Sequence, residues 1–161
     1  MKIAIAGYGV VGRGTHELLM MNREKIAARA GEEIEVKYVL DPKPLEGTPA
    51  ESLRASGIEE ILADPEVQLL VEAIGGVGPA YEYVKAALES GRSVVTPNKQ
   101  LVAEKGAELL AIAKEKNVGF LFEASVAGGT PVLHPISQCL WANDLDLAAG
   151  ILNGTTNYIL T

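Results

Sequence analysis

The sequence is poor in the residues that cross-link small proteins or bind metals through nitrogen and sulfur. Cys139 is the one cysteine among 161 residues, so the chain can form neither an internal disulfide nor a thiolate metal cluster. The two histidines, His16 and His134, lie far apart and lack the spacing of metal ligands. Stability must therefore come from a hydrophobic core, which a chain of this length with 48% hydrophobic residues can form.

Long apolar runs and excess positive charge are also absent. The most apolar stretch, residues 69–76, is interrupted by Glu72 and ends in glycines, so it is too short to span a membrane. The formal net charge is −7, which excludes nucleic acid as the main partner. The short apolar start runs directly into a glycine loop and is unlike a signal peptide. We therefore expect a cytoplasmic protein that has no membrane partner.

Glycine is abundant, and its most informative pattern stands near the N-terminus. Residues 7–12 form a G-x-G-x-x-G string that follows an apolar strand at residues 2–6 and opens a helix. In this context Gly7 permits the tight turn, Gly9 lets the backbone approach a pyrophosphate, and Gly12 allows close helix–strand packing. The phosphates would face the positive N-terminus of the helix. The string therefore predicts dinucleotide binding by Gly7, Tyr8, Gly9, Val10, Val11 and Gly12. A glycine-rich turn that binds no ligand is the less favoured alternative.

Strand and helix patterns alternate along most of the chain. Further strands are predicted at residues 34–40, 67–74, 93–96 and 118–122, and helices at 58–63, 79–89 and 98–116, the last capped by Asn98. This succession predicts an α/β fold of the Rossmann type, a doubly wound and mostly parallel sheet with helices on both faces. Residues 2 to about 75 fit one mononucleotide-binding half, and the remainder up to Glu123 fits a second.

The pattern changes after Glu123. A glycine-rich link precedes Pro131, which suits the first residue of a helix to about residue 140, and a strand is expected at residues 147–152. A further helix begins near Asn157 just before the chain stops. We expect a dinucleotide-binding domain at 1–128 and the start of a truncated substrate domain at 129–161.

Two sets of residues at the predicted strand ends are candidates for cofactor contacts, because ligands in such sheets bind outside the carboxyl ends of the strands. Asp41 could accept hydrogen bonds from ribose hydroxyls and repel a 2′-phosphate, which favours NAD over NADP, although Lys43 could offset the repulsion. A simple turn at Asp41 is the alternative. Gly75 and Gly76 would allow close backbone approach, and a plain turn there is nearly as well supported.

Two further charged residues, Lys99 and Glu123, are candidates for a role in binding. Lys99 falls in the first turn of a helix, where the helix dipole disfavours a cation, so it could meet a cofactor or a substrate carboxylate. An exposed lysine is the alternative. Glu123 and the backbone carbonyls of Val126, Gly128 and Thr130 are hard oxygen donors of the kind that Na⁺ prefers. A hinge between domains is the simpler interpretation of that loop.

Five segments resemble the N-terminal part of homoserine dehydrogenases. They are AGYGVVGRG (6–14), VEAIGG (71–76), VVTPNK (94–99), EASVAGGTPV (123–132) and GILNGTTNYIL (150–160). The resemblance implies the reversible oxidation of L-homoserine to L-aspartate 4-semialdehyde with NAD or NADP, in the biosynthesis of threonine and methionine. A related enzyme such as an aspartate dehydrogenase is an alternative that the last segment disfavours. A nucleotide-sensing module without catalysis is a second alternative, and continuation of the natural gene past Thr161 into a catalytic segment would exclude it.

The resemblance also assigns roles to individual residues. Gly75, Gly76, Thr96, Pro97 and Asn98 would line the nicotinamide side, with Lys99 in a supporting catalytic role between cofactor and substrate. Glu123, Val126, Gly128 and Thr130 would hold Na⁺, and Gly154 and Thr155 would approach the substrate. Two positions depart from the family pattern. Pro97 replaces the usual alanine, and Leu40 replaces an arginine that contacts the NADP phosphate in many members.

The resemblance implies that some of the machinery lies beyond residue 161. In the family, the proton-transferring lysine, the acidic residues that bind homoserine and most of the dimer-forming sheet follow this point. We therefore expect the 161-residue chain to bind the cofactor without turning over homoserine, and the full-length enzyme to form a homodimer.

Overall fold

The computed structural model describes residues 1–150 and Ile159, and it contains one parallel five-stranded sheet. The strands are β1 (Lys2–Ala6), β2 (Glu35–Leu40), β3 (Val67–Glu72), β4 (Ser93–Val95) and β5 (Phe120–Leu121). Their order in the sheet is β2-β1-β3-β4-β5, and every neighbouring pair is parallel. The prediction of a Rossmann-type α/β fold is confirmed. Gly154 and Thr155, predicted to approach the substrate, lie outside the described residues.

Within residues 1–150, five α-helices connect the strands. They are α1 (Val10–Met21), α2 (Arg23–Ala30), α3 (Ile58–Ala63), α4 (Gly78–Glu89) and α5 (Lys99–Lys116). The predicted cap of α5 is confirmed, because the Asn98 side chain accepts a hydrogen bond from the Leu101 N–H. Among the described residues, no helix is both long and apolar enough to cross a bilayer.

The helices cover both faces of the sheet, as predicted. Successive side chains of a strand point to opposite faces, and β1 accordingly divides its residues between two cores. Ile3 and Ile5 pack with Val36 and Val39 of β2 and with Leu19 of α1. Ala4 and Ala6 pack in the larger core, which α3, α4 and α5 cover. The small alanines leave room for the helices on that face.

The order of the strands places a crevice between β1 and β3. The chain leaves β1 to one side to form β2 and then crosses back to form β3 on the other side. In doubly wound sheets, ligands bind outside the carboxyl ends of the strands at such a switch point. The ends of β1 and β3, at Ala6 and Glu72, are paired in register, so the residues that follow them face each other across the crevice.

The three strands of residues 2–75 are not arranged as in the usual mononucleotide-binding half, whose third strand pairs with the second. Here β3 pairs with β1, and the outer side of β2 carries only a parallel bridge between Val39 and Arg54. The Ala55 N–H donates to the Val39 carbonyl at 2.9 Å. This bridge brings Arg54 next to the carboxyl end of β2.

Three predicted elements differ from the structure. The first helix, predicted as one, is two helices. α1 ends at Met21 and is capped by Asn22, whose side-chain amide and N–H both donate to the Leu18 carbonyl. The two helices account for the spacing between Gly12 and Asp41, which is longer than the roughly 20 residues usual between the glycine loop and the acidic residue of this motif. The helix expected from residue 131 to 140 is reduced to a π-helical turn at Pro135–Cys139, because Pro135 cannot donate the hydrogen bond that an α-helix needs there. Residues 147–150, the described part of the strand predicted at 147–152, are not in a strand.

The amino-end edge of the sheet is held by ion pairs. Lys37 contacts Asp64 and Glu66, and the Arg92 guanidinium donates to the carbonyls of Leu62 and Asp64 at 2.7 and 2.9 Å. The contact between the Asp64 carboxylate and Lys37 is the main reason that the pKa of Asp64 is lowered to about 2. The opposite, carboxyl-end edge is organised differently, as the next section describes.

Candidate functional site

Two glycines of the loop after β1 are required by the packing of the backbone. Gly7 has φ +94°, and a Cβ added there would lie 2.5 Å from the Ala73 carbonyl carbon and oxygen. A Cβ on Gly12 would lie 1.9 Å from the carbonyl oxygen of Gly7. Real Cβ atoms do not approach so closely, so any side chain at either position would force the loop away from α1 and β3.

Gly9 differs from the other two loop glycines. It is exposed, and an added Cβ would meet nothing within 4 Å. The open space lies at the N-terminus of α1, where free N–H groups and the helix dipole favour an anion. The fold therefore does not need a glycine here, whereas a phosphate approaching the backbone would.

Asp41 joins the glycine loop to the end of β2. Its carboxylate accepts the Tyr8 N–H at 2.5 Å and the Lys43 N–H at 2.8 Å, and the Gly7 N–H donates to the Leu40 carbonyl at 2.8 Å. Each carboxylate oxygen thus accepts one backbone N–H and retains a further lone pair. The predicted ribose contact of Asp41 is compatible with this arrangement.

The Tyr8 side chain is buried beneath the loop and pairs with His16 of α1. The hydroxyl lies 2.8 Å from His16 Nδ1, and the two rings make an edge contact. His16 is 3% exposed, and burial lowers its pKa, while burial raises the pKa of Tyr8. The sequence offered no sign of this role, because His16 alone is indistinguishable from an ordinary helix residue.

The loop after β3 is shaped by Glu72, which sequence reasoning missed. Its Oε1 accepts the N–H groups of Ile74 and Gly75 at 2.7 and 3.1 Å, and its Oε2 accepts the Thr96 hydroxyl. Gly75 and Gly76 have φ of +84° and +68°, the left-handed conformation that suits glycine. The available signal was a charged residue at the carboxyl end of an otherwise apolar strand.

The loop between β4 and α5 connects to the same network. The Thr96 hydroxyl oxygen accepts the Asn98 N–H at 3.0 Å, and the Asn98 side-chain amide donates to the Gly76 carbonyl at 2.6 Å. Thr96 and Asn98 are buried, whereas Lys99 is exposed at the start of α5. The structure therefore brings together the residues predicted to line the nicotinamide side.

Two cavities flank the glycine loop and meet at Ala73 and Ile74. One, of about 680 Å³, is lined by Gly7, Tyr8, Gly9 and Asp41 and by the cationic residues Arg13, Lys43 and Arg54. The other, of about 560 Å³, is lined by residues of the three loops just described, including Val11, Glu72, Gly75, Gly76, Pro97, Asn98 and Lys99. Sequence reasoning missed Arg13 and Arg54, which only the folded chain places beside Asp41.

The residues predicted to hold sodium lie apart from these cavities. The Glu123 carboxylate accepts the N–H groups of Val132, Leu133 and His134, and these bonds lower its pKa. Such a carboxylate serves as a cap for the segment that follows. Within the described part of the chain, no group of three or more histidine, cysteine or acidic residues could hold a metal ion. The geometry gives the sodium prediction no support.

The chain matches the family model for the homoserine dehydrogenase NAD-binding domain over residues 7–123. It is 45% identical over 163 aligned residues to a homoserine dehydrogenase of Pseudomonas aeruginosa, in an alignment that covers all of this chain and 37% of that protein. The chain therefore spans little more than a third of that relative's length.

Solved structures give the same result. A crystal structure of a homoserine dehydrogenase from Thiobacillus denitrificans superposes with a TM-score of 0.89 at 41% identity, over 99% of this chain and 38% of that one. A hyperthermophilic archaeal homoserine dehydrogenase in complex with NADPH superposes with a TM-score of 0.68 at 27% identity, over 84% of this chain and 48% of that one.

The buried His16 predicts a pH dependence of stability. Because burial lowers the folded-state pKa below 6.5, the unfolded chain takes up the proton more readily. The contribution of the neutral, buried His16 to the stability of the folded state is fully present above pH 6.5, and it is lost as the pH falls through the folded-state pKa of His16. We expect the urea concentration at the unfolding midpoint to decrease from about pH 7.5 to about pH 5.5, and to decrease less in His16→Gln.

His134→Gln, at an exposed histidine, is the control and should retain the wild-type pH dependence. A His16→Gln profile identical to wild type would contradict this account.

Proposed function

The chain belongs to the homoserine dehydrogenase family, and we propose that its crevice binds NAD or NADP as the cofactor half of an enzyme that interconverts L-homoserine and L-aspartate 4-semialdehyde. The observation that carries the proposal is the pair of adjoining cavities on either side of the glycine loop. A dinucleotide has two halves joined by a pyrophosphate. The two cavities match the halves, and the open space at Gly9 matches the pyrophosphate.

The residues of the two cavities suggest how the cofactor would lie. Asp41 would accept the adenosine ribose hydroxyls, and Gly7–Gly12 would receive the pyrophosphate. The loops that carry Gly76 and Asn98 would receive the nicotinamide. Bound there, the cofactor supplies the hydride acceptor or donor, while a positioned base must move the alcohol proton. Lys99 lines the nicotinamide cavity and would interact with the substrate in a supporting role.

The charges around Asp41 support binding of NADP as well as NAD. Both oxygens of Asp41 accept backbone N–H groups, and the cavity also contains Arg13, Lys43 and Arg54. Arg54 donates to the Lys43 carbonyl at 3.0 Å, so its guanidinium is held beside the end of β2. We infer that Arg54 and Lys43 compensate for Leu40, at the position where the family resemblance implies a phosphate-binding arginine.

The residues after the glycine-rich link fit the start of a substrate domain. The family model ends at residue 123, and Trp141 and Leu147 are 81% and 83% exposed. Apolar side chains this exposed are expected to pack against another surface. We propose a cofactor domain at 1–128 and the beginning of a second domain at 129–161, with homodimer formation left to the longer protein.

Gly9 and Gly12 predict separable effects on binding and folding. Gly9→Ala should retain the wild-type melting temperature, because its Cβ meets open space, but should weaken dinucleotide binding at least about tenfold. Gly12→Ala, the matched variant, should destabilise the fold by roughly 3 kcal/mol, because its Cβ would overlap the Gly7 carbonyl. Calorimetric titration with NAD⁺ and NADP⁺ and thermal unfolding measure the two effects. Tight binding by Gly9→Ala would refute the pyrophosphate assignment.

Arg54 is expected to affect the two cofactors differently. Removing one charge-assisted contact to a 2′-phosphate should weaken NADP⁺ binding roughly tenfold in Arg54→Gln and leave NAD⁺ binding nearly unchanged. Calorimetric titrations of both cofactors give the ratio. Arg29→Gln, on the exposed helix α2 away from both cavities, is the control variant. Equal losses for the two cofactors in Arg54→Gln would contradict a phosphate contact.

The 161-residue chain should bind the cofactor without turning over homoserine, because the resemblance places the proton-transferring lysine beyond residue 161. We expect no homoserine-dependent formation of reduced cofactor in an absorbance assay, using a sample whose cofactor binding has been verified by titration. A clear homoserine-dependent signal would show that residues of this chain supply the base.

A further inference from the structure

Glu72 is a fully buried acidic residue whose role the proposed function leaves open. It is 0% exposed, yet it lines the cavity on the nicotinamide side of the crevice. None of the ion pairs within residues 1–150 involves it. Burying an acidic group without a cation is costly unless hydrogen bonds compensate, so such a residue calls for an explanation.

The hydrogen bonds of Glu72 connect two loops that belong to different strands. Oε1 accepts the N–H groups of Ile74 and Gly75 in the loop after β3, and Oε2 accepts the Thr96 hydroxyl after β4. The Asn98 amide then closes the connection by donating to the Gly76 carbonyl. Glu72 therefore links both walls of the cavity, and the bond from Asn98 to Gly76 joins the same two loops.

The pattern of donors identifies Glu72 as an acceptor at both oxygens. The Thr96 hydroxyl donates its proton to Glu72 Oε2, while its oxygen accepts the Asn98 N–H. The two donors at Oε1 are backbone N–H groups that can only donate. A carboxylate satisfies all of these bonds at once, and it places a negative charge in the wall of the cavity.

We propose that Glu72 is a positioning residue that holds the two loops around the nicotinamide and biases the site toward the oxidised cofactor. This inference rests on the proposed function, since it requires the nicotinamide to occupy this cavity. The nicotinamide ring carries a positive charge when oxidised and none when reduced. A nearby carboxylate attracts the charged ring, so it stabilises bound NAD⁺ relative to bound NADH.

The test compares the affinities of the oxidised and reduced cofactors in Glu72→Gln. Glutamine has the same shape, and it can still accept from Ile74 and Gly75 while its amide faces Thr96, so the loops keep their anchors. We expect the ratio of the Kd for NAD⁺ to the Kd for NADH to rise about fivefold or more, because the negative charge that attracts the oxidised ring is lost. Fluorescence and calorimetric titrations of the 161-residue chain provide the two constants.

Two controls separate this effect from a loss of structure. ADP-ribose, which lacks the nicotinamide, should bind wild type and Glu72→Gln within about twofold of each other. Thr96→Val removes the hydrogen bond that joins Glu72 to the loop after β4 but retains the charge of Glu72, so it should weaken the binding of NAD⁺ and of NADH by the same factor. Because Thr96→Val is tested independently, it keeps the proposal open to refutation even if Glu72→Gln does not fold.

The possible outcomes distinguish the two proposals. If wild type binds none of these ligands, the proposed function fails and the role of Glu72 fails with it. If wild type binds both forms but Glu72→Gln leaves their ratio unchanged, the proposed function stands and the inference about Glu72 is overturned. Unchanged affinities in Thr96→Val would likewise overturn the claim that Glu72 holds the loops through Thr96.

Discussion

The structure depends on a close backbone contact between β1, the loop that follows it and α1. Gly12 lies directly against the carbonyl of Gly7, and Gly7 lies against the backbone of Ala73 after β3. No side chain fits at either contact, so the positions of α1 and of the β3 loop relative to β1 follow from the two glycines. This contact creates the crevice at the switch point, and the two cavities open on either side of it.

Acidic side chains organise the carboxyl-end edge of the sheet through backbone N–H groups instead of through ion pairs. Asp41 after β2, Glu72 at the end of β3 and Glu123 after β5 each accept two or three backbone N–H groups. The ion pairs of Lys37 lie at the opposite edge, away from the two cavities. Ion pairs therefore stabilise the fold at the amino ends of the strands, whereas carboxylates hold the loops of the candidate site at the carboxyl ends.

Local patterns in the sequence predicted the parts of the structure that depend on neighbouring residues. The glycine loop, the cap at Asn98 and the positions of most strands follow from such patterns, and the structure confirms them. The pairing of β3 with β1 depends on tertiary packing, and so does the placement of Arg54 beside Asp41 through its bridge to Val39. Glu72 was read only as an interruption of an apolar run, because its partners lie in loops that the fold brings together. Pro135, overlooked in the sequence pattern, limits the last helix to a single π-helical turn.

The central claim is that one dinucleotide spans both cavities across the glycine loop. Mapping backbone amide chemical shifts during titration with NADP⁺ and NAD⁺ tests it most directly, because each residue reports separately. The account predicts large changes at residues 7–12, 74–76, 96 and 98–99 and at Asp41 and Lys43, with none at Lys37, Asp64 and Glu66 on the opposite edge. Changes confined to one cavity, or located at the opposite edge, would contradict it.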